Sequence, residues 1–272
     1  MSTTSSTDTS LSHTDLHGDC SRCHALCCTV FGFSRSADFA ADKPAGSPCA
    51  HLGSTFSCTI HDALRPRGYR GCTVFDCFGA GQAVSARIPA EHLTAAFPRM
   101  KQLHEMLWYL AEVQHRAFAP ETVAAARTLC SSITRATRSD ASELLTLDLG
   151  LLHEQVRALL IDVSVELRAS YLASAAPDPQ LGPGADLAGR SLRGRRLCGA
   201  DLRGACLIGT DLRDCDLTAV DLLGADLRDA RLDGADLSSA LYLTGPQVAA
   251  ARGDRDTTLP PWVPAPSWGR QP

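Results

Sequence analysis

The chain has 272 residues, a net charge of −4 and a pI near 6.1. That balance offers no basic field to nucleic acid or to an anionic membrane, and neither is expected as a partner. No apolar run approaches the ~20 residues that span a bilayer. Met1 to Thr14 is polar and rich in Ser and Thr, without the basic start and apolar core of a signal peptide. A cytoplasmic location is therefore expected, where stable disulfides are rare.

Residues 1–15 form a Ser/Thr/Asp tail with nothing to bury, and disorder is expected there. Residues 16–88 read as a cysteine-rich domain. Eight of the twelve cysteines fall between 20 and 77, as Cys20, Cys23, Cys27 and Cys28, then Cys49, Cys58, Cys72 and Cys77. Large apolar residues are sparse there, and a segment of about 60 residues is marginal on hydrophobic burial alone. Cys-x2-Cys is a tight turn that lets two thiolates reach one ion, and zinc takes four such ligands. Adjacent cysteines such as Cys27 and Cys28 suit two nearby ions or a cluster better than one ion. All eight are candidate ligands for zinc or iron, as two zinc ions or as an iron–sulfur cluster on four of them. They read as one ligand set in two halves, Cys20, Cys23, Cys27 and Cys28 with Cys49, Cys58, Cys72 and Cys77, joined by a Lys43–Pro48 turn. His17, His24, His51 and His61 are weaker candidates. No residue is assigned a catalytic role.

Residues 89–175 turn to Ala, Leu, Glu and Arg with helical periodicity, predicting a small bundle of three helices. Pro98 suits a first helical turn, followed by a stripe of Met100, Leu103, Leu107, Leu110 and Val113. Pro120 opens a second helix, with Val123, Ala126, Leu129 or Cys130, and Ile133 on one side. Asp140 with Glu143 reads as a capping box for a third, whose stripe is Leu149, Leu152, Val156, Leu159, Val163, Leu167 and Tyr171. Residues 176–184 carry the Pro/Gly composition of a linker.

From Leu187 to Leu237 a leucine stands at every fifth residue, eleven in all, usually with a small residue two before it and Asp just before it. A helix would spread this period over all its faces, and a strand would alternate it between two sides. The chain must turn a corner every five residues, which is a solenoid. Arg190 and Arg195 stand where small inward residues belong, so the first coil should be open or distorted at its end. A cap and tail are expected over 245–272.

The Ala-Asp-Leu-x-x motif at 185–189, 200–204, 225–229 and 235–239 resembles the pentapeptide-repeat family. That resemblance implies a right-handed quadrilateral β-helix over 185–244, with four repeats to a coil and about three coils. The fold class expected for the whole is multidomain α+β: an irregular cysteine-rich domain, a helical bundle and this short β-helix. Residues 20–77 resemble the zinc- or iron-chelating domain family named for its C-x-x-C-x-x-x-C-C signature. The later stretches carrying it are Cys49-Ala50-His51-Leu52, Cys58-Thr59-Ile60 up to Arg65-Pro66, and Cys72-Thr73-Val74-Phe75-Asp76-Cys77. His24 and Thr73 depart from that family's usual Gly and Arg.

Three functions compete. The first is a non-catalytic metal-binding adaptor that offers its repeat face to a protein partner. The second is an iron–sulfur or iron-dependent modifying enzyme or redox protein, implied by resemblance to flagellin lysine methylases. The third is a DNA mimic that protects gyrase, as some pentapeptide-repeat proteins do; the ten Asp of 185–241 are set against eight Arg.

Overall fold

The computed structural model describes residues 12–172, 180–266 and 268. Residues 1–11 of the expected tail and 176–179 of the expected linker therefore lie outside the described residues. The chain forms two compact units: residues 1–27 with 77–159, and residues 28–76 with 160–272.

The first unit is helical. Ser12 to Asp15, expected in the tail, form a short 3-10 turn over His13–Leu16 with Ser12 as its cap. Buried Leu16 and His13 hold it, and the His13 ring meets Trp108 edge-on at 4.5 Å. After α1 (Leu26–Val30), which runs on into the second unit, the first unit resumes with α3 (Ala80–Arg87) and α4 (Leu93–Arg116). Then come α5 (Pro120–Thr137), α6 (Ala141–Thr146) and the first part of α7 (Leu149–Leu172). The stripe Met100, Leu103, Leu107, Leu110 and Val113 is buried throughout, as a 3/4 spacing requires. α4 begins five residues before Pro98, so this proline lies inside the helix and not in its first turn. Pro120 does open α5. Asp140 Oδ1 accepts from the Glu143 amide at 2.9 Å, but the helix it caps is the short α6.

In the second unit the repeats wind so that residue i pairs with residue i+20, from Asp186 with Cys206 to Asp221 with Leu241. One turn of the coil is thus four pentapeptides. All eleven leucines are buried, and so are Ala205, Thr210, Cys215, Val220, Ala225, Ala230 and Ala235. The expected α+β class with a quadrilateral β-helix is nevertheless corrected. Among the described residues no β-strand forms; pairing is confined to isolated one-residue bridges, and the regular secondary structure is helical.

The reason lies in the corners. Two residues after each leucine from 187 to 232 the chain takes a positive φ, at Gly204 (63°) and Gly209 (64°) and even at Asp214 (56°), Ala219 (53°) and Asp229 (56°). The Asp before the leucine accepts from the amide two residues on, as Asp211 Oδ1 does from Arg213 N at 3.3 Å and Asp226 Oδ1 from Arg228 N at 3.1 Å. In every repeat the amide three residues after the leucine donates to that leucine's carbonyl, as Ala205 does to Leu202 at 3.0 Å, and these turns occupy most of each pentapeptide and leave one residue free to pair.

Arg190 and Arg195 are exposed, so the first coil is open at its end while its bridges to the next remain formed. The last part of α7 packs on the repeats through Ser164, which donates to buried Asp221 Oδ2 at 2.5 Å, and Arg168, which donates to the Gly199 carbonyl at 2.8 Å. Tyr242 donates to the Leu160 carbonyl at 2.8 Å. At the far end α8 (Gly245–Ala250) follows a Thr244/Gln247 capping box, and the chain then pairs again, Arg231 with Arg252 and Asp236 with Thr258.

Candidate metal centre

The eight cysteines divide between the two compact units. Cys20, Cys23, Cys27 and Cys77 belong to the first unit; Cys28, Cys49, Cys58 and Cys72 belong to the second. Among the described residues, which include all twelve cysteines, no disulfide forms.

In the first unit Cys20 starts a 3-10 turn (Cys20–Arg22) capped by Asp19, and the Cys23 amide closes it on the Cys20 carbonyl at 3.3 Å. Gln82 of α3 fixes this turn by accepting from the Asp19 amide at 3.1 Å and donating to the His17 carbonyl at 2.8 Å. Cys77 precedes α3, whose Ala80 amide donates back to the Cys77 carbonyl at 2.9 Å. Two glycines adjoin these sulfurs, and Gly81 is the one that leaves room for Cys23 Sγ. A Cβ on Gly81 would meet Cys23 Sγ at 2.7 Å and Cys77 Sγ at 3.6 Å; one on Gly18 would meet Cys77 Sγ at 3.5 Å.

In the second unit the Cys49 amide donates to the Cys28 carbonyl at 2.9 Å, and Leu52 pairs with Cys58. Cys49 Sγ accepts from the His51 amide at 3.5 Å, and Cys58 Sγ likewise from the amide of Ile60. An amide two residues on that points at sulfur favours the thiolate form and orients it. Burial pushes the Cys58 thiol up, and the neighbouring Cys28 and Cys49 add to this. Cys72 reaches solvent as a residue, yet its thiol is crowded: burial first, then Cys28, Cys49 and Cys58, push it up to about 11.

Among the described residues no three His, Cys, Asp or Glu side chains stand in a ready-made cage for an ion. Thiols are soft donors; Cys49 and Cys58 accept from backbone amides, and the sulfurs of Cys23 and Cys77 both lie near Gly81. The four histidines have these neighbours. His51 Nε2 lies 3.1 Å from the Tyr69 hydroxyl, the exposed His61 pairs with Asp62 at 3.5 Å, and the His17 ring faces Trp108 at 5.9 Å. His24 carries an amide that donates to Ser85 Oγ at 2.9 Å.

The second unit ties its cysteine segment to the end of the repeats. Arg70 of α2 (Arg70–Thr73) binds Asp229 Oδ2 at 2.8 Å and the Ala250 carbonyl at 2.9 Å, and Arg65 binds the Ala249 carbonyl at 2.8 Å. Buried Lys43 donates to the carbonyls of Phe31, Thr29 and Pro44 within the same segment. Along the coil Arg203, Arg213 and Arg228 each clamp the Asp two residues before them, with contacts of 2.5 to 2.6 Å. Much of the acidic row is thereby neutralised in place. Sequence reasoning missed Gly81, Gly18, Ser164 and Arg168; a lone glycine or a helical Ser carries no signal of what it faces.

The repeat segment matches the family described as Pentapeptide repeats, in eight copies over residues 184–218 and 212–241. This is a pentapeptide-repeat protein. The chain is also 47% identical over 266 residues to "Uncharacterized protein YybG" of Bacillus subtilis (strain 168), covering 94% of this chain and 95% of that protein. That coverage is too wide to leave out the cysteine block, and the chain belongs to the YybG family. No helix among the described residues is long and apolar enough to cross a membrane.

Proposed function

We propose that this protein is a metal-binding pentapeptide-repeat adaptor, in which thiolates of the cysteine block hold zinc or iron and the repeats present a rigid face to a protein partner. The observation that carries the metal reading is the space at Gly81 on which the Cys23 and Cys77 sulfurs converge. A bound ion would supply the cross-link that a segment so poor in apolar residues lacks, worth about 10–16 kcal/mol of apparent binding energy for a structural zinc. The chain's own residues do the rest. The His51 amide donates to Cys49 Sγ and the Ile60 amide to Cys58 Sγ, and Arg65 and Arg70 join the segment to the coil.

Elemental analysis of the full chain, purified without added metal under reducing conditions, tests this. Zinc or iron bound at one ion per chain or more is expected. A folded protein free of both would overturn the reading.

A further inference from the structure

We propose that Cys23 and Cys77 are a site of reversible oxidation, where a hydroperoxide joins the two sulfurs in a disulfide beside Gly81 and a small thiol opens it again. The site needs no bound ion and does not rest on the metal-binding reading. Where an ion is bound, the disulfide withdraws two of its candidate donors, so oxidation and ligation compete for the same sulfurs.

The geometry lies within the first unit, and α3 holds both cysteines. At the start of this helix the Ala80 amide donates to the Cys77 carbonyl at 2.9 Å. Near its end Ser85 Oγ accepts from the amide of His24, the neighbour of Cys23, at 2.9 Å. Between these two ties, both sulfurs come to one point. The position of a Gly81 Cβ is 2.7 Å from Cys23 Sγ and 3.6 Å from Cys77 Sγ. Sulfurs that close to a shared point stand a few ångströms apart, and a disulfide brings them to about 2.05 Å. Both residues are half-buried, within reach of a small oxidant.

The chemistry balances with the hydroperoxide as two-electron oxidant. One sulfur, its proton given to water, attacks hydrogen peroxide; an S–O bond forms, the O–O bond breaks and hydroxide leaves with that proton as water. The second sulfur attacks the resulting sulfenic acid. The S–S bond forms, the S–O bond breaks, and the hydroxyl leaves as water with the second thiol's proton. Two glutathione-type thiols reverse the bond by exchange and depart as their own disulfide. The cross-link closes a loop over residues 24–76, which carries Cys27, Cys28, Cys49, Cys58 and Cys72. Oxidation of one pair therefore constrains the rest of the cysteine block.

The test uses the full chain, reduced in the presence of a chelator so that no ion shields the sulfurs, desalted, and treated with one equivalent of hydrogen peroxide. Peptide mapping by mass spectrometry without reductant identifies the linked cysteines. The dominant link in wild type should join Cys23 to Cys77, and glutathione should restore both thiols. The same oxidation in concentrated urea should replace it with links between near neighbours such as Cys20 and Cys23, because an unfolded chain closes short loops first. Gly81→Ala keeps every thiol and should lower the yield of the Cys23–Cys77 link about tenfold, since its methyl group displaces the Cys23 sulfur. The proposal is overturned if the folded chain links Cys20 to Cys23, links Cys77 to any cysteine other than Cys23, forms no disulfide within the chain, or gives the same map with and without urea. Elemental analysis decides the metal reading separately, so either can fail while the other stands.

Discussion

Gly81 stands where any side chain would strike the sulfur of Cys23, 2.7 Å from the position its Cβ would take. Gly81 lies in the first turn of α3, a setting where alanine normally favours the helix by up to about 1 kcal/mol. The expected outcome of Gly81→Ala is therefore split. Metal affinity of the Cys23 and Cys77 pair falls at least tenfold, while the helix itself gains. A competition titration against a chromophoric chelator, with circular dichroism alongside, reads both parts.

Ser164 and Asp221 form a pH-sensitive contact inside the second unit. Burial pushes the Asp221 carboxyl up to about 6 from 3.8, outweighing the Ser164 hydrogen bond, the Leu223 amide and the Arg203 charge; the Asp201 charge adds to the rise. The folded-state value is raised, so the contribution to stability is full below the unfolded value near 4 and is lost as pH rises through 6. That difference is worth about 3 kcal/mol. Relative to Asp221→Asn, wild type should lose about this much stability in urea titrations between pH 4 and 7. A constant difference across that range would contradict the account.

The corners of the coil give two substitutions of opposite sign. Gly209 has a φ of 64° and open space around its Cβ position, so Gly209→Ala meets backbone strain alone and should cost about 1–2 kcal/mol. Ala219 already carries that strain at 53°, and Ala219→Gly should be neutral or stabilising by up to about 1 kcal/mol. Denaturant midpoints of the two variants check the pair.

Arg70 joins the cysteine segment of the second unit to Asp229 and the Ala250 carbonyl. Arg70→Ala removes two charge-assisted bonds and should cost about 1.5–3 kcal/mol. The loss should be local, read as faster hydrogen exchange over residues 28–76 with exchange in the repeat core at 200–240 unchanged. Uniform acceleration over both would contradict this placement.

The parts of this fold legible in the sequence are those where one period dictates one buried side. The five-residue leucine row and the stripe from Met100 to Val113 are both buried throughout. Legibility ends where burial depends on a distant partner. In α7 the expected stripe reaches Tyr171, which is 41% exposed, while Ser164 and Arg168 are buried because Asp221, Asp201 and the Gly199 carbonyl await them 31 to 57 residues on. The recurring Asp was visible as a pattern, but its task of holding the amide two residues later was not, nor was the backbone turn after every leucine that confines pairing to one residue. The cysteines as a candidate set were plain from spacing. Their grouping was not, since Cys77 finds Cys23 across more than fifty residues and only the folded chain places them together.

X-ray absorption at the metal edge of the purified full chain tests the central claim most directly. The account predicts a first shell of sulfur only, four per ion, at about 2.3 Å for zinc. A shell containing imidazole nitrogen or carboxylate oxygen, or a chain carrying no zinc or iron to examine, would contradict it.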